Sequence, residues 1–228
     1  MGFHKLVANR EHYDTVIAAV MRAELSVWIA TADVKELMVE VAGKVSKRRG
    51  ARRASGYRSI LDVLDGLAER GVEQRMLHAK LPSRPFREEF DKHPRLVNGG
   101  LQLRLCPRNH MKVVIIDGRL LYLGSANWTG AGLGVRSENR RNFELGIVTD
   151  DEAMLDQAQG MFESLWRGSA CKKCGLRSMC ESPLDLEIKT RPSAPLSQPP
   201  AARARRAAPA PPKRADSGQK RGAKASRR

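Results

Sequence analysis

The sequence predicts a layered α/β domain followed by a basic tail that has no core of its own. Three observations carry this. Strand-like and helical patterns alternate between residues 11 and 166. Asp117-Gly118 stands between two apolar runs as a two-residue hairpin signal. After Pro192 the chain turns to Pro, Ala, Arg, Lys and Ser, too poor in large apolar residues to offset the entropy of ordering. With 228 residues there is length for a sizeable core and an extension.

Val16, Ile17, Val20 and Met21 recur at helical spacing, so residues 11–24 are expected to form an amphipathic helix. SVWIAT (26–31) is a short β-rich strand. KVSKRRGARRAS (44–55) is basic, Gly-interrupted and without periodicity, which predicts an exposed loop. Residues 60–70 place Leu61, Leu64 and Leu67 on one helical face, and Gly71 ends that helix. VEQRMLHA (72–79) and LQLRLC (101–106) are the next strands. KVVIID and RLLYLGS are the two arms of the hairpin around Asp117-Gly118, and FELGIVTD (143–150) is a further strand. Met154, Leu155, Ala158, Phe162 and Leu165 make the last helix, 152–166. The expected organisation is a body over 1–168, a Cys-bearing extension over 169–188 and a disordered basic tail over 189–228.

Charge separates these parts. The net charge is +16, and residues 189–228 hold 12 Lys and Arg against one acid, so the tail alone carries +11. The first residues lack the apolar core of a secretory signal, and Leu6 stands where a myristoylation signal wants Ser or Thr. TVIAAVMRAELSVWIATADV is interrupted by Arg22 and Glu24, which argues for a helix and a strand, not a membrane span. A cytoplasmic protein with reduced thiols is the expectation.

The candidate chemistry lies between residues 110 and 127. His110-x-Lys112, then Asp117, then Gly124-Ser125-x-Asn127 complete the pattern H-x-K-x4-D-x6-G-S-x-N. By this pattern the chain resembles the phospholipase D superfamily, and the surrounding order of elements is similar over roughly 165 residues. The resemblance implies a phospholipase D-like mixed sheet flanked by helices. The residue types suit phosphodiester chemistry. An imidazole nitrogen can attack phosphorus and split one displacement into two. Lys112, two residues along, is expected on the face of His110, to hold non-bridging oxygens. Ser125 and Asn127 would arrive from the opposing strand as oxyanion donors, and Gly124 would permit a close backbone approach.

What the resemblance further implies is that His110 is the nucleophile, that the chemistry needs no metal, and that a second histidine protonates the leaving oxygen. A carboxylate orients each imidazole. Glu144 is the choice for that acid, with Glu138 the alternative. Asp117, at the hairpin turn and far along the strand from His110, is expected to have a structural or hydrogen-bonding part in the site. A second H-x-K at His78-Ala79-Lys80 has no companion Asp and no Gly-Ser-x-Asn, so ordinary strand-end residues are expected there. One motif where the chemistry wants two predicts a homodimer, the arrangement of the family's small single-motif members.

Cys171-x2-Cys174-x5-Cys180 follows the last helix, and Cys106 is the fourth cysteine. Their density predicts thiolate ligands, with Cys106 joining the cluster. Zinc and an iron–sulfur centre both suit, and the spacing resembles the iron–sulfur staple of some RecB-type nucleases. The motif leaves the substrate open. The basic tail and loop favour nucleic acid as partner through counterion release, and an anionic membrane surface is the other polyanion such a tail binds. A nuclease is favoured, with a phospholipase or phospholipid transferase as the alternative.

Overall fold

A computed structural model describes residues 2–41 and 56–186. They fall within one unit, Met1–Gln198. The basic loop of residues 44–53 and the tail 189–228 lie outside the described residues. Among the described residues nine strands run in chain order: β1 (His4–Ala8), β2 (Ser26–Thr31), β3 (Met38–Val41), β4 (Gly56–Ser59), β5 (Glu73–His78), β6 (Gln102–Leu105), β7 (Val113–Ile116), β8 (Leu120–Gly124) and β9 (Leu145–Thr149). Seven of them form a mixed sheet in the order β1-β9-β8-β7-β2-β5-β6, and β3 and β4 pair separately. β2, β5 and β6 are parallel, while β2, β7, β8, β9 and β1 pair antiparallel. The α/β expectation therefore holds, with a mixed sheet.

Two cores flank this sheet. Val114 and Ile116 of β7 join the larger one, with Ile17, Val20, Leu61, Leu64 and Phe86 from the helical segments. Val113 and Ile115 point the other way, to Leu155, Phe162 and Trp166. All four β7 residues are buried, which is why that strand is continuously apolar in sequence instead of alternating. The helices are α1 (Ala18–Val20, entered by a π-helical turn at Tyr13–Ile17), α2 (Ile60–Glu69), α3 (Arg84–Phe90) and α4 (Glu152–Trp166). Ser59 caps α2 by accepting from Leu61 N at 2.9 Å, and Asp151 caps α4 by accepting from Met154 N at 2.9 Å. No helix among the described residues is long and apolar enough to cross a membrane.

Some elements depart from the sequence expectation. The first helix stops at Val20, short of 24, because the N–H groups of Glu24, Leu25 and Ser26 go to the Asp117 carboxylate. β1, β3, β4 and α3 were not expected. β1 buries Val7 alone, which is too little for a period-two signal. α3 does carry a signature, Ser83 as N-cap with Pro in its first turn.

The Cys-bearing extension packs against the body. Leu184 is buried in the smaller core, and Arg104 of β6 donates to the carbonyls of Trp166 and of Leu184, the latter at 2.6 Å. The Arg104 guanidinium also lies 5.3 Å from the Trp166 ring centre.

Candidate active site

β7, β8 and β9 bring most of the motif to one end of the sheet. The segment entering β7 carries His110 and Lys112, and Asn109 pegs it in place. Asn109 is buried; its Nδ2 donates to the carbonyls of Thr31 (3.0 Å) and Leu77 (3.1 Å), and its Oδ1 accepts from Met111 N (3.2 Å). A buried amide with these bonds made is satisfied, and it fixes the backbone on both sides of His110. His110 itself is exposed at the rim.

The ladder sets the other partners. Gly124 N donates to Lys112 O at 3.1 Å, and Ser125 N donates to Leu145 O at 3.0 Å. Lys112, Ser125 and Glu144 thus share one sheet end on three adjacent chain segments. The Lys112 ammonium lies 3.2 Å from both ring nitrogens of His110 and donates to the His110 carbonyl at 2.9 Å. Desolvation lowers the Lys112 pKa, and the Glu144 charge opposes that shift.

Ser125 Oγ donates to Glu144 Oε2, while Asn142 Nδ2 donates to Glu144 Oε1 at 3.0 Å. The described bonds of the Glu144 carboxylate therefore run to Ser125 and Asn142, not to the imidazole. Glu138 sits apart, in a 3-10 turn, and lines a surface cleft with Asn9, Arg10 and Arg141. Of the two candidate acids, Glu144 is the one joined to the motif.

Asn127 is oriented by residues that no sequence pattern marks. Its Oδ1 accepts from Ala32 N (3.1 Å), Asp33 N (3.2 Å) and Thr31 Oγ1 (3.3 Å). Three donors converging on one atom identify it as the carbonyl oxygen, so Nδ2 is the end this side chain can present to an anion. Gly124 meets its expectation in a specific way. A Cβ there would lie 2.5 Å from Tyr122 Oη and 2.7 Å from Gly146 Cα. The Tyr122 ring occupies that space, and its hydroxyl accepts from Ala126 N at 3.2 Å. Buried His12 packs edge-on against Tyr122, with ring centres 5.4 Å apart, and burial lowers its pKa. Sequence reasoning passed over His12, Thr31 and Asn109. The first two lie far from the motif in sequence, and Asn109 adjoins it without being part of the pattern.

Asp117 is not brought to this end of the sheet. It occupies the hairpin turn with φ +54°, followed by Gly118 at φ +63°. Its carboxylate accepts from the backbone N–H of Glu24 (3.1 Å), Leu25 (2.7 Å) and Ser26 (2.9 Å). Its part is to lock the hairpin to the start of β2, a structural and hydrogen-bonding role. His78 is buried at the end of β5, with Nδ1 2.8 Å from Lys80 O, and burial lowers its pKa. Cys106, Cys171, Cys174 and Cys180 are unbridged, partly exposed, and line one cleft beside Leu184.

Comparison with known proteins agrees with the geometry. A family model described as the PLD-like domain of cardiolipin synthase matches residues 54–166. The major cardiolipin synthase ClsA of Bacillus subtilis is 36% identical over 89 residues, which is 34% of this chain and 18% of that protein. The mitochondrial cardiolipin hydrolase of Chlamydomonas reinhardtii is 30% identical over 107 residues, 47% of this chain and 45% of that protein. The chain thus spans less than half the length of these relatives. A solved structure, the phospholipase D family member Nuc from Salmonella typhimurium, shares the fold. It has a TM-score of 0.51 at 16% identity and covers 73% of this chain and 95% of its own.

Proposed function

The chain belongs to the phospholipase D superfamily, and on that ground we propose that it is a phosphodiesterase, a nuclease that works through a phosphohistidine intermediate. The observation that carries this reading is the gathering of Lys112, Ser125 and Glu144 near an exposed His110, with Asn127 held by the Thr31–Asp33 segment to which Asn109 also bonds. His110 attacks phosphorus and the P–O bond to the leaving group breaks, leaving phosphohistidine. A protonated second imidazole supplies the proton to the leaving oxygen. That imidazole, now neutral, takes a proton from water as the hydroxide attacks, and His110 is released. Lys112 and the Asn127 amide stabilise the charge on the non-bridging oxygens. No step calls on a metal ion.

The second imidazole comes from a second copy of this chain, in a homodimer with the two His110 residues facing across a twofold axis. An apolar stripe supports this arrangement. Leu6, Ile147 and Leu123 are neighbours across β1, β9 and β8, all exposed, and Leu145 continues the row toward Ser125. A row of this kind beside a half-site is what an isologous interface covers.

Nucleic acid is the favoured substrate because the +11 tail draws polyanions without base readout. One observation favours a second reading, a phospholipase or phospholipid transferase at an anionic membrane: both relatives above are named for cardiolipin. The deciding experiment incubates the EDTA-treated chain with labelled single-stranded DNA, RNA, and cardiolipin or phosphatidylcholine vesicles side by side. Cleavage of nucleic acid is expected. Turnover of lipid alone selects the second reading, and no turnover of any substrate rejects both. For assembly, excess His110→Asn chains mixed with wild type should poison activity. A fully active monomer by light scattering would reject the shared site.

A further inference from the structure

Cysteines from two distant parts of the chain meet at one cleft. Cys106 stands just after β6, and Cys171, Cys174 and Cys180 belong to the extension that follows α4. All four line the same cleft, together with Arg108 and Arg177. The extension is held to the body through Leu184, and its own fold is braced internally. Arg104 donates to the carbonyls of Trp166 and Leu184, Arg177 donates to both oxygens of Asp185 (2.7 and 2.8 Å), and Leu184 is buried. Backbone bonds from Cys171 N to Gly168 O (2.8 Å) and from Cys174 N to Cys171 O (3.2 Å) fold the loop into tight turns at the cleft that Cys106 also lines.

Four unbridged thiols brought to one cleft from two distant parts of the chain are a candidate ligand set. A mononuclear zinc site needs its sulfurs about 2.3 Å from a single point, hence roughly 3.8 Å from one another. Among the described residues no group of three or more His, Cys, Asp or Glu is already placed to hold a metal ion, so binding has to draw the thiols of the cleft together. We infer that Cys106, Cys171, Cys174 and Cys180 bind an iron–sulfur cluster that fastens the C-terminal extension to the end of β6. Binding releases one proton from each thiol. A cubane cluster with four thiolates carries a net charge of roughly −2, and Arg108 and Arg177 supply cations at the cleft wall.

The position also ties the cluster to the motif. Asn109 N donates to Cys106 O at 2.8 Å, and Asn109 is the peg beside His110. The inference itself does not rest on the phosphodiester reading, since metal content is measured without turnover.

The test is made on the full chain, produced with iron supplied and purified without oxygen. About four iron and four acid-labile sulfide per chain are expected, with a broad visible absorption that dithionite bleaches. Cys106→Ala and Cys174→Ala should each lose at least four-fifths of the iron. Should either variant fail to fold, alkylation of the wild-type chain replaces it. All four cysteines should resist iodoacetamide in the purified protein and react after chelation. One zinc per chain without sulfide, or no metal at all, overturns the cluster. A Cys106 that alkylates freely while iron is bound overturns the four-cysteine assignment.

Discussion

Replacing Asp117 by alanine should destabilise the domain while leaving the chemistry of the folded fraction intact. The carboxylate accepts from three successive N–H groups, those of Glu24, Leu25 and Ser26, at 2.7–3.1 Å. Bonds to a charged acceptor contribute about 1.5–3 kcal/mol each when shielded, and about 1 kcal/mol each is a fair value where water can replace them, as here. Alanine at φ +54° adds about 1 kcal/mol of backbone strain. The total, about 4 kcal/mol, is a large share of the 5–15 kcal/mol that holds a typical domain together. At 2–4 °C per kcal/mol for a chain of this size, the midpoint of thermal unfolding should fall by roughly 10 °C. Asp117→Asn tolerates the left-handed conformation and keeps one acceptor, so about half that loss is expected. Urea and thermal unfolding followed by circular dichroism measure both variants. An alanine variant within 0.5 kcal/mol of wild type would refute the structural role. So would one that stays folded and loses turnover a thousandfold, since Asp117 would then act in the chemistry.

Other outcomes follow from the same geometry. His110→Asn should lose turnover by three orders of magnitude or more, yet unfold within about 0.5 kcal/mol of wild type because the side chain is exposed. Asn127→Ala should lower kcat by roughly 10²–10³ with a smaller change in KM, as expected for a donor that acts on developing charge. Steady-state kinetics decide between that split and a pure binding defect. Burial raises the Glu36 pKa to about 7, with one oxygen on Ser59 Oγ at 2.6 Å and the other buried with no partner among the described residues. A carboxyl raised in the folded state contributes stability below its unfolded value, and that contribution is lost as pH rises through about 7. Glu36→Gln should therefore gain up to about 3 kcal/mol over wild type at pH 8, little at pH 4, and flatten the stability profile between. Truncation after Lys189 should leave the unfolding midpoint unchanged and reduce the salt slope of nucleic-acid binding; an unchanged slope would remove the tail from recognition.

The sequence by itself determined whatever a local pattern can encode. Asp117-Gly118 specified a turn because only residues tolerant of positive φ fit there, and both adopt it. The apolar run of β7 and the period of α4 followed from burial on two faces and on one. His110, Lys112, Gly124, Ser125 and Asn127 were legible because the motif lies on one hairpin, where sequence spacing is nearly spatial spacing. The tertiary structure decided what depends on contact between distant segments. That the Thr31–Asp33 turn orients Asn127 across 95 residues, that Glu144 and not Glu138 reaches Ser125, and that β1 completes the sheet edge are consequences of strand pairing. The same holds for Asp117, which its motif position groups with the catalytic residues. Strand length carries it to the far end of the hairpin, where its carboxylate serves the backbone that starts β2. Cys106 was grouped with the other cysteines in sequence because it closes the strand that leads to His110; the packing of the extension against β6 is what brings them to one cleft.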